Sequence, residues 1–293
     1  MTTGDTGVAL VTDSTGYLPP GTVARHGIGV VPLHVVLGHR SGTEGDEVCP
    51  HDVAVALTER RLRVSTSRPT PTELAAAYRA SGARSVVSVH LSSALSGTVD
   101  SAHLAAAEVA AEGIEVRVVD SRTICMGLGF AVLAAAREVE RGGDLGAVEA
   151  AARASDTDVL FYLDTLEHLR RGGRIGSAAA LFGSALSIKP LLHVAGGELA
   201  ALEKVRTASK AMTRLEDLAV ARAGDGPVDV AVHHLAAPNR AEALAERMRV
   251  RLPGLVDLHV SEVGAVVGAH VGPGAQAVVI ARRGAARPGA ARR

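Results

Sequence analysis

The apolar positions in the first half of the chain form short β-branched runs that alternate with longer alanine-rich segments. Val8–Thr12, Ser85–Leu91 and Val116–Val119 have the length and composition of buried strands. Thr98–Ala111 and Met126–Arg141 have the apolar spacing of helices. Strand–helix alternation of this kind predicts a parallel sheet with right-handed crossovers.

Proline and hydroxyl residues mark three further segments of the first half. Val30–Leu37 is predicted to be a second strand, with Pro32 at an edge or bulge because proline cannot donate to a sheet. Pro71–Ala80 is predicted to be a helix with Thr70 as its N-cap, and its leading proline fits the first turn. The preceding segment, Ser65–Pro71, is predicted to be a hydroxyl-rich loop.

The pattern changes near Ser155–Asp158, where hairpin signals appear. Ile188–Val194 and Leu199–Val205 flank Gly196-Gly197, which predicts a β-hairpin. The other predicted elements are the strands Val159–Leu163, Val228–Val232, Leu255–Val260 and Ala277–Ala281 and the helices Leu166–Arg171, Ala178–Leu186, Thr207–Ala221 and Arg240–Val250. The sequence therefore predicts a parallel-sheet α/β domain over residues 1–157, an α+β domain over 158–283 and a disordered basic tail over 284–293.

Composition narrows the function classes. Of the 293 residues, 47% are hydrophobic, and 31 Lys+Arg balance 31 Asp+Glu, so the basic excess of a nucleic-acid binder is missing. Aromatic residues make up 2%, which argues against base-stacking surfaces. We find no secretory signal, no apolar run of roughly 20 residues and no metal-type or redox-type cysteine spacing. These features predict a cytoplasmic protein without disulfides, metals or cofactors.

Polar segments follow three predicted strands, at the edge where open α/β sheets bind ligands. These segments are Thr12–Thr15, Ser92–Thr98 and Asp120-Ser121. Their hydroxyls and helix-start N–H groups suit an anion, although ordinary helix caps have the same composition. Ser92–Thr98 has the densest hydroxyls and is therefore the strongest candidate of the three, with Ser93 and Gly97 as secondary candidate contacts within it.

Three more segments contain residues that could bind a ligand or take part in a reaction. Thr66 lies in the hydroxyl-rich loop. Arg174 follows a glycine pair in Arg170–Ile175, where a guanidinium suits a carboxylate or phosphate but also suits a solvated helix end. His270 lies among glycines, where it could contact a ligand or be a core histidine. The chain lacks a phosphate-loop motif, a complete dinucleotide fingerprint, an H-E-x-x-H motif and a nucleophile elbow.

Taken in order, the segments resemble the DegV family of bacterial fatty-acid-binding proteins. The matching motifs cover all of the chain except its tail: Val11–Thr15, Val31–Leu33, Thr66–Pro69, Leu91–Thr98, Val119–Ser121, Gly172–Ile175, Ile188–Pro190, Lys204–Thr207 and His270–Gly274. The sequence departs from the family pattern at Arg68, where glutamine is usual, at Thr123 and Cys125, and across Gly38–Glu47.

The resemblance implies two domains with a ligand tunnel between them that holds one long-chain fatty acid. A separate fatty acid kinase would phosphorylate the carboxylate, so the protein itself would be a carrier and not an enzyme. By motif matching, Thr66 and Ser96 would bind the carboxylate, Arg174 and His270 would assist phosphoryl transfer, and Arg206 is a weaker candidate. Leucine and phenylalanine side chains could line the tunnel, with Leu181, Phe182, Leu186, Leu191 and Leu192 as candidates, although each leucine taken alone is more typical of an ordinary core.

Two other functions remain open at this stage. The first is a small-molecule α/β hydrolase that uses Ser96 and His270, for which a third, orienting group is needed. The second is a regulatory lipid sensor with a partner surface at Arg170, Arg171 and Arg174. The carrier hypothesis also admits transient contact with a membrane. A monomer is expected because no coiled-coil seam is visible.

Overall fold

The computed structural model describes residues 7–59, 62–181 and 188–283. Within them the strands are β1 Val8–Asp13, β2 Gly29–Val31, β3 His34–Leu37, β4 Arg40–Thr43, β5 Val64–Ser67, β6 Ser85–His90, β7 Glu115–Asp120, β8 Thr157–Tyr162, β9 Lys189–Ala195, β10 Glu198–Val205, β11 Val228–His234, β12 Leu255–Glu262 and β13 Gln276–Arg282. The helices are α1 Thr22–His26, α2 Pro50–Glu59, α3 Pro71–Ala80, α4 Thr98–Ala110, α5 Met126–Glu140, α6 Leu145–Arg153, α7 Glu167–Arg171, α8 Ala208–Ala223, α9 Pro238–Arg251 and α10 Ala265–Val271. None of these helices has the length and apolarity needed to cross a bilayer.

The predicted parallel sheet is confirmed. Its strand order is β2-β1-β6-β7, and every neighbouring pair is parallel. Adjacent residues of β1 point to opposite faces: Val11 packs with α3 and α4, whereas Leu10 packs with α5 and α6. Burial on both faces explains why the central strands β1 and β6 carry apolar residues at successive positions, as in Val8–Val11 and Val86-Val87.

A mixed six-stranded sheet forms the second half, in the order β10-β9-β8-β13-β11-β12. The predicted hairpin is its β9–β10 pair, which is antiparallel around the Gly196-Gly197 turn. Helices α8 and α9 cover one face through side chains such as Leu215 and Leu244. Helix α5 contacts both sheets, because Leu128 joins the parallel-sheet core and Phe130 joins the core of the mixed sheet.

A small antiparallel sheet, β4-β3-β5, corrects the sequence interpretation of two segments. The single strand predicted over Val30–Leu37 is wrong, because Pro32 and Leu33 separate β2, in the parallel sheet, from β3, in the small sheet. The predicted loop Ser65–Pro71 is partly wrong, because its first residues belong to β5. Helix α10 from the second half of the chain packs against β3, β5 and α2.

Parts of two predictions lie outside the described residues. The helix predicted over Ala178–Leu186 overlaps a 3₁₀ helix at Gly176–Leu181, and residues 182–187 are not described. The predicted tail over 284–293 is also outside the described residues.

Candidate functional site

A cavity lies between the small sheet, the carboxyl end of β6 and the mixed sheet. It contains about 580 Å³ of space between atoms, counted together with its opening to solvent. Its apolar wall includes Leu33, Leu91, Ile124, Phe161, Leu199 and Val267, and its polar wall consists of Thr66, Ser67, Arg68, Ser96, Arg174 and His270. The apolar residues are buried except for the partly buried Ile124, whereas the polar residues reach solvent. The cavity therefore has an apolar interior and a polar mouth.

The residues predicted to line an acyl tunnel are placed differently. Leu191 and Leu192 are buried in β9, but they are not among the residues that line this cavity. The side chain of Leu181, together with Phe182 and Leu186, lies outside the described residues.

Thr66 and His270 form a hydrogen-bonded pair at the mouth. Thr66 lies on β5, an edge strand of the small sheet, and His270 lies in the last turn of α10, which packs against that strand. The distance from Thr66 Oγ1 to His270 Nε2 is 2.9 Å. With its hydrogen on Nε2, a neutral imidazole donates to Thr66 and leaves the threonine hydroxyl hydrogen for an anion.

Burial and a neighbouring cation keep His270 uncharged. Removal from water is the larger cause, and the Arg174 guanidinium adds to it, so that the pKa of His270 falls to about 4. Its Nδ1 atom is buried without a hydrogen-bond partner among the described residues, which is consistent with an unprotonated nitrogen at that position.

The close approach of α7 to His270 depends on a glycine. A Cβ at Gly172 would lie 2.2 Å from His270 Nδ1, so any larger residue would displace the ring. Gly173 then adopts a positive φ of 70°, which glycine tolerates, and the chain turns to present Arg174. Arg170 and Arg171 instead form exposed ion pairs with Glu167.

We expect the histidine pKa to appear in the pH dependence of stability. Between about pH 6.5 and pH 4 the unfolded chain takes up a proton at His270 that the folded chain excludes, so stability falls as the pH falls. His270→Gln keeps a side chain that can bond Thr66 but cannot titrate in this range. The free energy of unfolding falls between pH 7 and pH 4, and we expect this fall to be about 2–3 kcal/mol smaller in His270→Gln than in the wild type, as measured by urea unfolding. Equal losses in both proteins would contradict the low pKa.

Ser96 lies on the loop that connects β6 to α4, and Arg174 contacts the same loop from the second half of the chain. Ser92 O accepts hydrogen bonds from Leu95 N (3.0 Å) and Ser96 N (3.1 Å), which makes the loop a tight turn. The Ser96 hydroxyl lies 2.8 Å from the hydroxyl of Thr98, the first residue of α4, so it is at a helix N-terminus that favours anions. Arg174 donates from Nε to Leu95 O at 3.1 Å and from Nη1 to Gly172 O at 2.7 Å.

The remaining sequence candidates are less central. Ser93 is exposed and donates its hydroxyl to Asp120 Oδ2 at 2.5 Å, outside the set that lines the cavity. Gly97 contributes its carbonyl, which accepts a hydrogen bond from Arg68 Nη1 at 3.1 Å. Arg206 is exposed just after β10 and does not line the cavity.

The contacts of Ser96 and His270 do not form a hydrolase triad. The Ser96 hydroxyl bonds to Thr98, and the His270 Nε2 atom bonds to Thr66. Within the described ranges no group orients His270 through its Nδ1 atom, and no cluster of three or more His, Cys, Asp or Glu residues is placed to hold a metal. The nucleophile–base–orienter arrangement required for hydrolysis is therefore not assembled there.

One functional neighbour was missed from the sequence, the buried carboxyl of Glu44. It accepts hydrogen bonds from Val266 N at 2.8 Å and from the Ser14 hydroxyl, and Ser14 Oγ in turn accepts from Leu33 N at 3.1 Å. Burial raises the pKa of Glu44 more strongly than its hydrogen bonds lower it. Because Leu33 and Val266 both line the cavity, Glu44 connects two of its walls. The polar run Gly42–Glu47 resembles a solvated turn and carries no signal of this burial.

Similar proteins cover nearly the whole chain. A family model described as an uncharacterised protein of the DegV family matches residues 7–283. A DegV domain-containing protein of Streptomyces coelicolor is 58% identical over 281 residues, which make up 94% of this chain and 99% of the relative. Among solved structures, a DegV family protein from Thermus thermophilus, described by its fatty acid binding, is 34% identical with a TM-score of 0.86. DegV of Bacillus subtilis, described as a fatty acid binding protein, is 32% identical with a TM-score of 0.85. Both matches cover 94% of this chain and 99% of the other.

Proposed function

Because this chain belongs to the DegV family, we propose that it binds one long-chain fatty acid in the cavity and presents the carboxylate to a separate kinase. The kinase would convert the carboxylate to an acyl phosphate for phospholipid metabolism. The observation that carries the proposal is the division of one cavity into an apolar interior and a polar mouth. The protein would then be a cytoplasmic carrier without a cofactor of its own, and it would exchange its ligand by transient contact with a membrane.

The apolar interior suits an acyl chain. Each buried CH₂ contributes about 0.8 kcal/mol, so a sixteen-carbon chain brings roughly 10 kcal/mol before the ordering costs are subtracted. Side chains such as Phe161, Leu199 and Val267 would replace water around the chain. In this proposal an N-terminal domain of residues 1–157 supplies the hydroxyls, and a C-terminal domain of residues 158–283 supplies Arg174 and His270.

The polar mouth suits a carboxylate that must still react. The hydroxyls of Thr66 and Ser96 would donate to the carboxylate oxygens without neutralising them, so that one oxygen can attack the phosphorus atom of the phosphate donor. The Arg174 guanidinium would stabilise the charge that develops during transfer, and the neutral His270 would orient Thr66 through their 2.9 Å contact.

Native mass spectrometry of the purified protein, followed by denaturing lipid extraction, tests the binding proposal. One fatty acid per chain is the expected result, and an empty protein that also takes up no added palmitate or oleate would refute it. The kinase proposal is tested by adding a bacterial fatty acid kinase subunit and ATP to the loaded protein. Trapping with hydroxylamine should then yield the acyl hydroxamate, and its absence with a kinase that is active on its own carrier would refute this step.

Thr66→Val isolates the contribution of one hydroxyl. Valine has nearly the same shape and suits a strand, so only the donor to the carboxylate and the bond to His270 are lost. We expect release of bound palmitate to be roughly 10- to 100-fold faster, since a hydrogen bond to a charged group contributes about 1.5–3 kcal/mol. Ser209→Ala, on the exposed surface of α8, is the matched control and should leave release unchanged. Unchanged release from Thr66→Val would place the carboxylate elsewhere.

A further inference from the structure

Two arginines hold the loop that carries Ser96, one on each side of the serine. Arg174 donates to the carbonyl of Leu95, and Arg68 donates to the carbonyl of Gly97, each at 3.1 Å. Both guanidinium groups also line the cavity, as Ser96 does. The two cations therefore flank the hydroxyl that, under the proposed function, binds the ligand head group.

The backbone on both sides of Arg68 belongs to ordered elements. Arg68 directly follows β5 and precedes the buried Pro69 and the capping box of α3, in which Thr70 and Glu73 bond each other. Across the mouth, the guanidinium of Arg68 lies in the space beside the α-carbon of Gly97, where a larger residue would have a side chain.

The charge of Arg68 is only weakly compensated. Among the described residues, Arg68 pairs with the carboxylate of Asp100 at 3.6 Å, and the side chain of Asp100 is 76% exposed. Such an exposed pair contributes little, because water screens both charges. Since Thr66, Ser96 and the unprotonated His270 carry no charge, the described residues at the mouth present two positive charges and no negative one. A carboxylate neutralises only one of them.

We propose that Arg68 is a second anion-binding residue and that the Arg68–Arg174 pair selects head groups carrying two negative charges. This inference rests on the proposed function, and it assigns the site a preference for phosphate monoesters and acyl phosphates over free carboxylates. A guanidinium has five N–H donors in a planar array, so Arg68 can keep its bond to Gly97 and still bind a phosphate oxygen. A phosphate carries close to two charges at neutral pH and above.

Competition binding with two sixteen-carbon ligands tests the pair. Palmitate and hexadecyl phosphate each displace a fluorescent fatty acid at pH 8, where the phosphate is almost fully dianionic. Arg68→Gln keeps amide donors for Gly97 but removes the charge. We expect this substitution to lower the affinity for hexadecyl phosphate by about tenfold and the affinity for palmitate by less than about threefold, because charge-assisted hydrogen bonds are roughly twice as strong as neutral ones. Arg68→Lys should retain most of the preference for hexadecyl phosphate. Arg25 is an exposed arginine of α1, and Arg25→Gln should leave the affinities for both ligands unchanged.

The outcomes separate this inference from the function on which it rests. If the wild-type protein binds palmitate but Arg68→Gln weakens both ligands equally, Arg68 has only a structural role and the inference is wrong. If Arg68→Gln changes the affinity for neither ligand, or if the wild-type protein does not bind hexadecyl phosphate, the inference is also wrong while the carrier proposal stands. A folded wild-type protein that binds neither ligand refutes the carrier proposal itself. In the wild type, raising the salt concentration should lower the affinity for hexadecyl phosphate more than the affinity for palmitate, a result that does not depend on any variant.

Discussion

Asp13→Ala is expected to lower the free energy of unfolding by about 3–5 kcal/mol, because it removes the shared acceptor of several buried hydrogen-bond donors. Asp13 Oδ2 lies 3.0 Å from His90 Nδ1 and accepts a hydrogen bond from Leu91 N at 2.9 Å. Its Oδ1 atom accepts from the Thr15 hydroxyl at 2.6 Å and from Thr15 N at 3.1 Å. Alanine would leave these donors buried and unpaired.

The buried network behind Asp13 makes its loss more costly. Ser88 Oγ lies 2.7 Å from His90 Nε2 and accepts a hydrogen bond from the Tyr78 hydroxyl at 2.9 Å. With the imidazole hydrogen on Nδ1, every donor in this chain has an acceptor: Tyr78 donates to Ser88, Ser88 to His90, and His90 to Asp13. Removing the final acceptor leaves the His90 N–H unsatisfied in a site without water access.

Urea unfolding measures this effect, with m compared between variants to confirm that the same surface unfolds. Asp46→Ala, at an exposed position, is the matched control and should stay within about 0.5 kcal/mol of the wild type. Asp13→Asn keeps the size and one acceptor oxygen, so its loss should be smaller than that of alanine. A loss below 1 kcal/mol for Asp13→Ala would show that the network contributes little net stability.

The two larger sheets could be predicted from sequence because most of their strands are regular and buried. In β6, neighbouring residues such as Val86 and Val87 enter different cores, so both faces of the strand carry buried valines, as is typical of a parallel sheet. Helix α6 was missed, although Asp144 caps it by accepting from Ala147 N at 2.8 Å. The signal that predicts it is the capping aspartate that directly follows the Gly142-Gly143 pair at the end of α5.

The small sheet could not be predicted, because its strands are short and lack strong patterning. In β5 the residues alternate between partial burial and exposure, and its four residues are mostly hydroxyls, which are also typical of loops. Strand β3 forms a sheet separate from β2 only because the chain turns at Pro32-Leu33, a change of direction that no local pattern records. Helix α10 contains Gly268 and is flanked by glycines, so its helical pattern was obscured.

The candidate site was predicted residue by residue, but its contacts were not. The local contexts of Arg174 and His270 and the family resemblance for Thr66 and Ser96 indicate these residues one by one, and all four line one cavity. The Thr66–His270 bond joins residues 204 positions apart, a contact that depends on how α10 packs against β5. Glu44 could not be predicted because burial of a carboxyl in a polar segment depends entirely on tertiary packing.

Ser96→Asp should abolish fatty acid retention, with palmitate affinity lowered by about a thousandfold. Two like charges 4 Å apart near a protein surface repel by about 4 kcal/mol, which corresponds to that factor. The new carboxylate would lie between Arg68 and Arg174, where it would take the place that the ligand head group needs. Since Ser96 is only partly buried, the fold should tolerate the substitution.

Ser96→Asn separates the charge from the shape, because asparagine has the same size as aspartate but no charge. We expect its palmitate affinity to stay within about tenfold of the wild type, since it exchanges one neutral donor for another. Hexadecanol, which has the same chain without the carboxylate, should bind Ser96→Asp and wild type alike and so report an intact cavity. Equal palmitate affinities for Ser96→Asp and Ser96→Asn would mean that the carboxylate does not approach Ser96. A simultaneous loss of hexadecanol binding would instead attribute the defect to the cavity, because an uncharged ligand is insensitive to the added negative charge.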